Sequence, residues 1–213
     1  MNYYTFPSRL QAMSAQAPSA PYRAAWCDAW TIDAVYGDAL RCPRCGHYIS
    51  SKEWLAPRKI RLTSTKFPDR LTHWLPEPLV VSGRFCEAYR KSGLSGIERF
   101  LPITVVKVGK RATLPSAVPD YYCARIPFIE NVCIDDTRSE ITGQPYGWSC
   151  ELCNPLGTTR DHVTKLALTV SGPHPDIFQV YGHGIVVTQC FYDFVSAQDF
   201  KNFDLIPVED YRF

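Results

Sequence analysis

Two Cys-x-x-Cys pairs, "CPRC" at 42–45 and "CELC" at 150–153, constrain this chain more than any other feature. Four thiolates in two pairs match a tetrahedral zinc site. Cys42, Cys45, Cys150 and Cys153 are therefore read as the ligands of one zinc ion, the only cofactor expected. Four sulfurs fill the coordination sphere and leave no position for water, which fits a structural ion and not a catalytic one. The flanking residues suit a tight turn. Pro43 pre-sets the bend after Cys42, Gly46 accepts the positive φ that commonly follows the second cysteine, and Asn154, its counterpart, is the next most tolerant residue there. His47 is an alternative ligand, a group supporting a thiolate, or a plain surface histidine. The competing reading of the pairs is buried or redox-active thiols. A thioredoxin-like motif needs its Cys-x-x-Cys between a strand and a helix, and "CPRCGHYISSKEW" lacks the apolar stripe of a helix start.

The pairs are separated by 104 residues, whereas zinc ribbons place theirs roughly 15–20 apart. The gap has an explanation when the chain is shifted on itself by about 107 residues. The two cysteine pairs then coincide. "FPDRLTHW" (67–74) falls on "HPDIFQVY" (174–181), sharing Pro-Asp, and "LVVSGRFCEAYRKSGLSGIERFLPITV" (79–105) falls on "IVVTQCFYDFVSAQDFKNFDLIPV" (185–208). Each segment starts with a short apolar strand and a Ser or Thr suited to cap a helix. Apolar residues at helical spacing follow, Phe85, Ala88 and Tyr89 in one and Phe191, Phe194 and Val195 in the other. Stretches around Pro102 and Pro207 read as returning strands. The expected fold class is α+β, with two pseudo-repeated strand–helix–strand units, approximately 40–110 and 148–213, joined by a split four-cysteine zinc site within a single domain of residues 1–213. Residues 101–109, 121–129 and 162–170 show β-branched enrichment or alternation and read as further strands.

A hydrophobic fraction of 46% with 13% aromatics supports a substantial core. The N-terminus has no charged region followed by an apolar run, and no stretch approaches the roughly 18 apolar residues of a membrane helix. A cytoplasmic protein is expected. In a reducing compartment nine cysteines point to metal binding and buried thiols. Cys27, Cys86, Cys123, Cys133 and Cys190, each alone in apolar surroundings, are assigned to the latter. Charge is uneven: residues 41–111 hold fifteen Lys or Arg against five Asp or Glu, and residues 113–213 hold six against thirteen. The halves could attract one another, be solvated, or steer a partner. The basic stretch 58–70 could touch nucleic acid, but its aromatics are few for a stacking platform, and neither nucleic acid nor a membrane is the expected partner. Enzyme signatures are missing: there is no His-Glu-x-x-His, no Gly-x-x-x-x-Gly-Lys, no Gly-x-Ser-x-Gly and no deaminase His-x-Glu. Asp135-Asp136 reads as an exposed loop. No catalytic residue is assigned, and the chain is not expected to be an enzyme.

With "CPRCG" at 42–46, "CELC" at 150–153 and the two strand–helix segments downstream, the chain resembles the bacterial double-CXXCG-motif family, whose members are immunity proteins of contact-dependent or polymorphic toxin systems. Asn154 departs from the motif, which has glycine there. The resemblance implies a cytosolic protein that binds a cognate toxin domain, its protein partner, and blocks it. The alternative is a zinc-stabilised nucleic-acid-binding or regulatory module.

Overall fold

The computed structural model describes residues 2–7, 28–72, 79–109, 116–135, 137–145, 147–154, 157, 162–181 and 183–212. Cys27 and Asp136 lie outside them.

Two sheets carry the fold. The larger has six strands, in the spatial order β2 (Ala29–Thr31), β5 (Lys59–Leu62), β8 (Arg99–Val108), β9 (Tyr121–Arg125), β7 (Val80–Ser82) and β6 (Arg70–Leu71). The smaller has four, in the order β14 (Ile177–Val180), β15 (Gly184–Thr188), β1 (Tyr3–Thr5) and β16 (Ile206–Pro207). Three two-stranded pairs complete the set: β3 (Tyr36–Arg41) with β4 (Tyr48–Trp54), β10 (Val132–Ile134) with β13 (Leu168–Val170), and β11 (Glu140–Thr142) with β12 (His162–Lys165). Helix α1 (Gly83–Ser92) follows β7, and α2 (Gln189–Ala197) follows β15.

The capping expected from sequence is present. The Ser82 hydroxyl accepts from the Phe85 amide and the Thr188 hydroxyl from the Phe191 amide, satisfying a donor that the first helical turn would leave bare. Gly93 ends α1 at φ +76°. The helices pack through aromatic rings, with the Phe85 centroid 6.0 Å from Phe194 and 6.3 Å from Phe191, and Phe203 beyond α2 stacks on Phe85 at 4.6 Å. One apolar cluster joins these rings to Val81 and Ala124 of the larger sheet and to Ile177, Ile185 and Val187 of the smaller. The opposite face of the larger sheet buries Ile60, Leu62, Val80, Ile103 and Cys123 around Trp54.

The expected fold class is corrected by this topology. Sixteen short strands and only two α-helices occur among the described residues, so the fold is mostly β. The helices do not close strand–helix–strand units, because the strand before each helix never pairs with the strand after it. β9 lies between β7 and β8, and β1 lies between β15 and β16. What recurs is a four-strand antiparallel order. Tyr121, Tyr122 and Cys123 pair with Ser82, Val81 and Val80, while Tyr3, Tyr4 and Thr5 pair with Thr188, Val187 and Val186. On the other side Tyr122 faces Pro102 and Tyr4 faces Pro207. The prolines, which have no N–H to give a ladder, fit because their second flank is open. β8 meets β5 only from Thr104 onward, and β16 is an edge strand.

The correspondence extends to two buried-edge carboxylates. Ser82 donates to Asp69 at 2.7 Å and Thr188 to Asp176 at 3.0 Å. Each Asp also grips the loop beyond the other helix: Asp69 accepts from the Lys201 amide at 3.0 Å, and Asp176 accepts from the Ser95 amide at 2.9 Å. Gly96, beside Ser95, has φ +117°, and a Cβ there would sit 1.9 Å from the Ile177 carbonyl oxygen. The close approach of that loop to β14 requires glycine.

Candidate metal centre

The first knuckle is the turn of the β3–β4 hairpin. The Cys42 amide donates to the His47 carbonyl at 2.7 Å, and the Gly46 amide donates to the Cys42 carbonyl at 2.9 Å. Gly46 has φ +77°, as its position demanded. Arg41 braces the turn by donating to the Gly46 carbonyl at 3.1 Å while its guanidinium lies 4.0 Å from the Tyr48 ring centroid. In the second knuckle, Cys150 and Asn154 exchange backbone hydrogen bonds of 3.0 and 2.9 Å. The Asn154 side chain donates to the Trp148 carbonyl at 3.1 Å. The expected positive φ falls elsewhere: among the described residues around this knuckle it is found at Gly147 and Gly157, not at Asn154. Asn154 is buried, bridging to Cys150 through its backbone and to the Trp148 carbonyl through its side chain.

These two turns bring all four cysteines together. The ligand atoms of Cys42, Cys45, Cys150 and Cys153 lie within 4.8 Å of one another. Cys42 Sγ is 3.9 Å from Cys150 Sγ, and Cys45 Sγ is 3.5 Å from Cys153 Sγ. A tetrahedron with Zn–S bonds of about 2.3 Å has S–S edges of about 3.8 Å, so the cluster fits a zinc-sized ion. The short contacts run between the knuckles, whereas a thioredoxin-like pair would close within one Cys-x-x-Cys. The first pair also sits between two strands rather than between a strand and a helix. Cys42, Cys150 and Cys153 are buried and Cys45 is exposed.

The electrostatics of the thiols fit a site that takes a cation. Burial pushes the Cys150 thiol up, but amides of Cys153 and Leu152 and the neighbouring thiols outweigh it and bring it down to about 7. Cys153 is pushed the other way by burial and by the thiols of Cys45, Cys42 and Cys150. Sulfurs this close cannot all ionise without positive charge among them. The four cysteines would hold a divalent metal, which would supply that charge and displace the remaining protons.

Around the sulfurs, the knuckles hold one another directly. Arg44 of "CPRC" forms an ion pair with Glu151 of "CELC". His47 stacks on Trp148 with centroids 3.9 Å apart and planes 6° apart. The ring is thus a bridge between the turns and lies outside the metal-ligand set. Tyr181 and Phe128, stacked at 5.0 Å, and Leu152 pack against the cysteines. Sequence reasoning missed Tyr181 and Phe128, which carry no local mark. The opposite charges inside the two Cys-x-x-Cys motifs were a readable signal for Arg44–Glu151.

The lone cysteines divide. Cys86 and Cys123 are buried as expected, Cys133 is half-buried, and Cys190 is exposed, which corrects its assignment as a buried thiol. Cys190 occupies the second position of α2, whose buried residues are Phe191 and Val195. Asp135 lies in a turn, where Thr137 and Arg138 hold its carboxyl well below the usual carboxylate range. No helix among the described residues is long and apolar enough to cross a membrane. No family model matches the chain, and no curated protein matches it.

Proposed function

We propose that this protein is a zinc-stapled immunity protein that acts by binding a cognate toxin domain, not by turnover. The observation that carries the metal half of the reading is the cluster of four cysteine sulfurs within 4.8 Å. It supports a closed coordination sphere whose role is to fix the knuckle hairpin to the loop at 148–154. The role of Arg44–Glu151 and His47–Trp148 is to hold the turns in register, so that the ligands meet with little reorganisation. The partner half rests on the resemblance to the double-CXXCG family. A rigid scaffold suits such a partner, because binding a preorganised surface costs little ordering entropy.

Two measurements test the halves separately. Elemental analysis of protein prepared without chelator is expected to give one zinc per chain, and a metal-free folded protein refutes the staple. Cells producing the toxin encoded beside the gene are expected to survive only with this protein, and the two are expected to co-purify. Survival without a complex would mean an enzyme that reverses the damage.

A further inference from the structure

The outward face of the larger sheet carries cations that no described residue neutralises. Ala29, Ile60, Leu62 and Val108 point into the core, so their strand neighbours Trp30, Lys59, Arg61 and Lys107 lie on the other face. Trp30 is directly opposite Arg61, and Arg61 is directly opposite Lys107. Trp30 is 42% exposed, and Arg61 and Lys107 are exposed. Strands β2, β5 and β8 contain no Asp or Glu. Arg44, Arg84, Arg125 and Arg138 each have a carboxylate partner, whereas Lys59, Arg61 and Lys107 make no ion pair among the described residues.

Neighbouring strands are about 4.8 Å apart, so Arg61 and Lys107, level with one another on the parallel pair β5–β8, bring two like charges close together. An anion lying across both would relieve that repulsion. Beside this pair, on the neighbouring strand β2, stands the indole of Trp30. Phosphates along cations with an aromatic ring at their side is the arrangement that holds a single nucleic-acid strand: the backbone tracks the charges and a base stacks on the ring. A protein partner would favour Arg and aromatics but disfavour Lys at the contact, and two of the three cations here are Lys.

We infer that the outer face of β2, β5 and β8 is a single-stranded nucleic-acid-binding surface, with Arg61, Lys107 and Lys59 on the phosphates and Trp30 on a base. This inference stands apart from the toxin reading, and either can fail alone. The test is fluorescence anisotropy of the full, zinc-loaded chain with a labelled single-stranded deoxyoligonucleotide of mixed sequence, from about 50 to about 200 mM salt. Affinity is expected to fall with salt with a slope of about −2 in logarithms, as for roughly three neutralised phosphates. Arg61→Glu with Lys107→Glu is expected to weaken binding at least tenfold, and Trp30→Ala by roughly tenfold. Lys165→Glu, on β12, is expected to change little. Near-ultraviolet circular dichroism of each variant verifies that the fold is intact. The inference is overturned if the wild-type chain does not bind at the lowest salt, or if binding survives the double charge reversal. Competition by polyglutamate as effective as by unlabelled oligonucleotide also overturns it, and assigns the face to an acidic protein.

Discussion

Asp69 shows how much one side chain can hold in this protein. It accepts from the Ser82 hydroxyl, from Arg84 through Nε at 3.0 Å and Nη2 at 2.6 Å, and from the Lys201 amide. Burial pushes its pKa up, but Arg84, Lys201 and Ser82 prevail and the net shift is downward. A carboxylate with a depressed folded pKa stabilises the fold above its unfolded pKa, about 4, and loses that contribution as pH falls through the folded value. Urea midpoints of wild type and Asp69→Asn are therefore expected to differ most near neutral pH and to converge as pH falls below about 4; a gap independent of pH would refute the linkage. Gly96→Ala is expected to destabilise by about 2 kcal/mol or more, because the added Cβ meets the Ile177 carbonyl and the backbone has positive φ. Thermal melts measure this, and a neutral substitution would show that the loop relaxes freely. Among the cysteines, Cys150→Ser is expected to abolish stoichiometric zinc, while Cys190→Ser, exposed and outside the cluster, is expected to leave metal content unchanged.

At the scale of elements, the cap of each helix is also a tie between the sheets. The Ser82 and Thr188 hydroxyls accept from a helix amide and donate to Asp69 or Asp176, and each Asp binds the loop after the opposite helix. Loss of a cap alone costs about 1 kcal/mol. Ser82→Ala is expected to exceed that, because it also leaves the buried Asp69 short of a donor. Chemical denaturation measures the excess, and a loss of only the cap value would show that Asp69 repairs its shell. Strand β1 presents the stronger case. Its three residues lie between β15 and β16, and without them both neighbours expose unpaired edges. Deleting residues 2–7 is expected to abolish the cooperative melt, as read by circular dichroism. A truncated chain that melts like wild type would show that β1 is an ornament on a sheet complete without it. The motif pattern exposed the caps and the shared Pro-Asp of the two halves, since both are written within a few residues. It did not expose β1, since "YYT" differs little from many surface tripeptides and its partners are about 180 residues away.

For the whole molecule, the four-cysteine cluster joins segments 108 residues apart, so on the proposed reading zinc binding and folding are one equilibrium. A strong chelator is expected to lower the melting temperature, and lowering pH is expected to release zinc because protons compete for the thiolates. Differential scanning calorimetry with and without chelator checks the first, and a colorimetric zinc indicator across an acid-to-neutral pH series the second. The sequence by itself determined the four cysteines that converge, the two capped helices, the strand at 101–109, the start of the strand at 121, and the matched order of features in its two halves. These are written in short-range spacing: thiols three apart, a hydroxyl three residues before the amide it caps, β-branched runs between turns. The tertiary structure alone decided which strands become neighbours. The aromatic faces of α1 and α2 bury one another in a single core, and each crossover then places its return strand two positions away. The gap is filled by β9 in one sheet and by the start of the chain in the other. That choice rests on long-range burial summed over both sheets, which no local window contains, and it turned an expected pair of strand–helix–strand units into a mostly β fold.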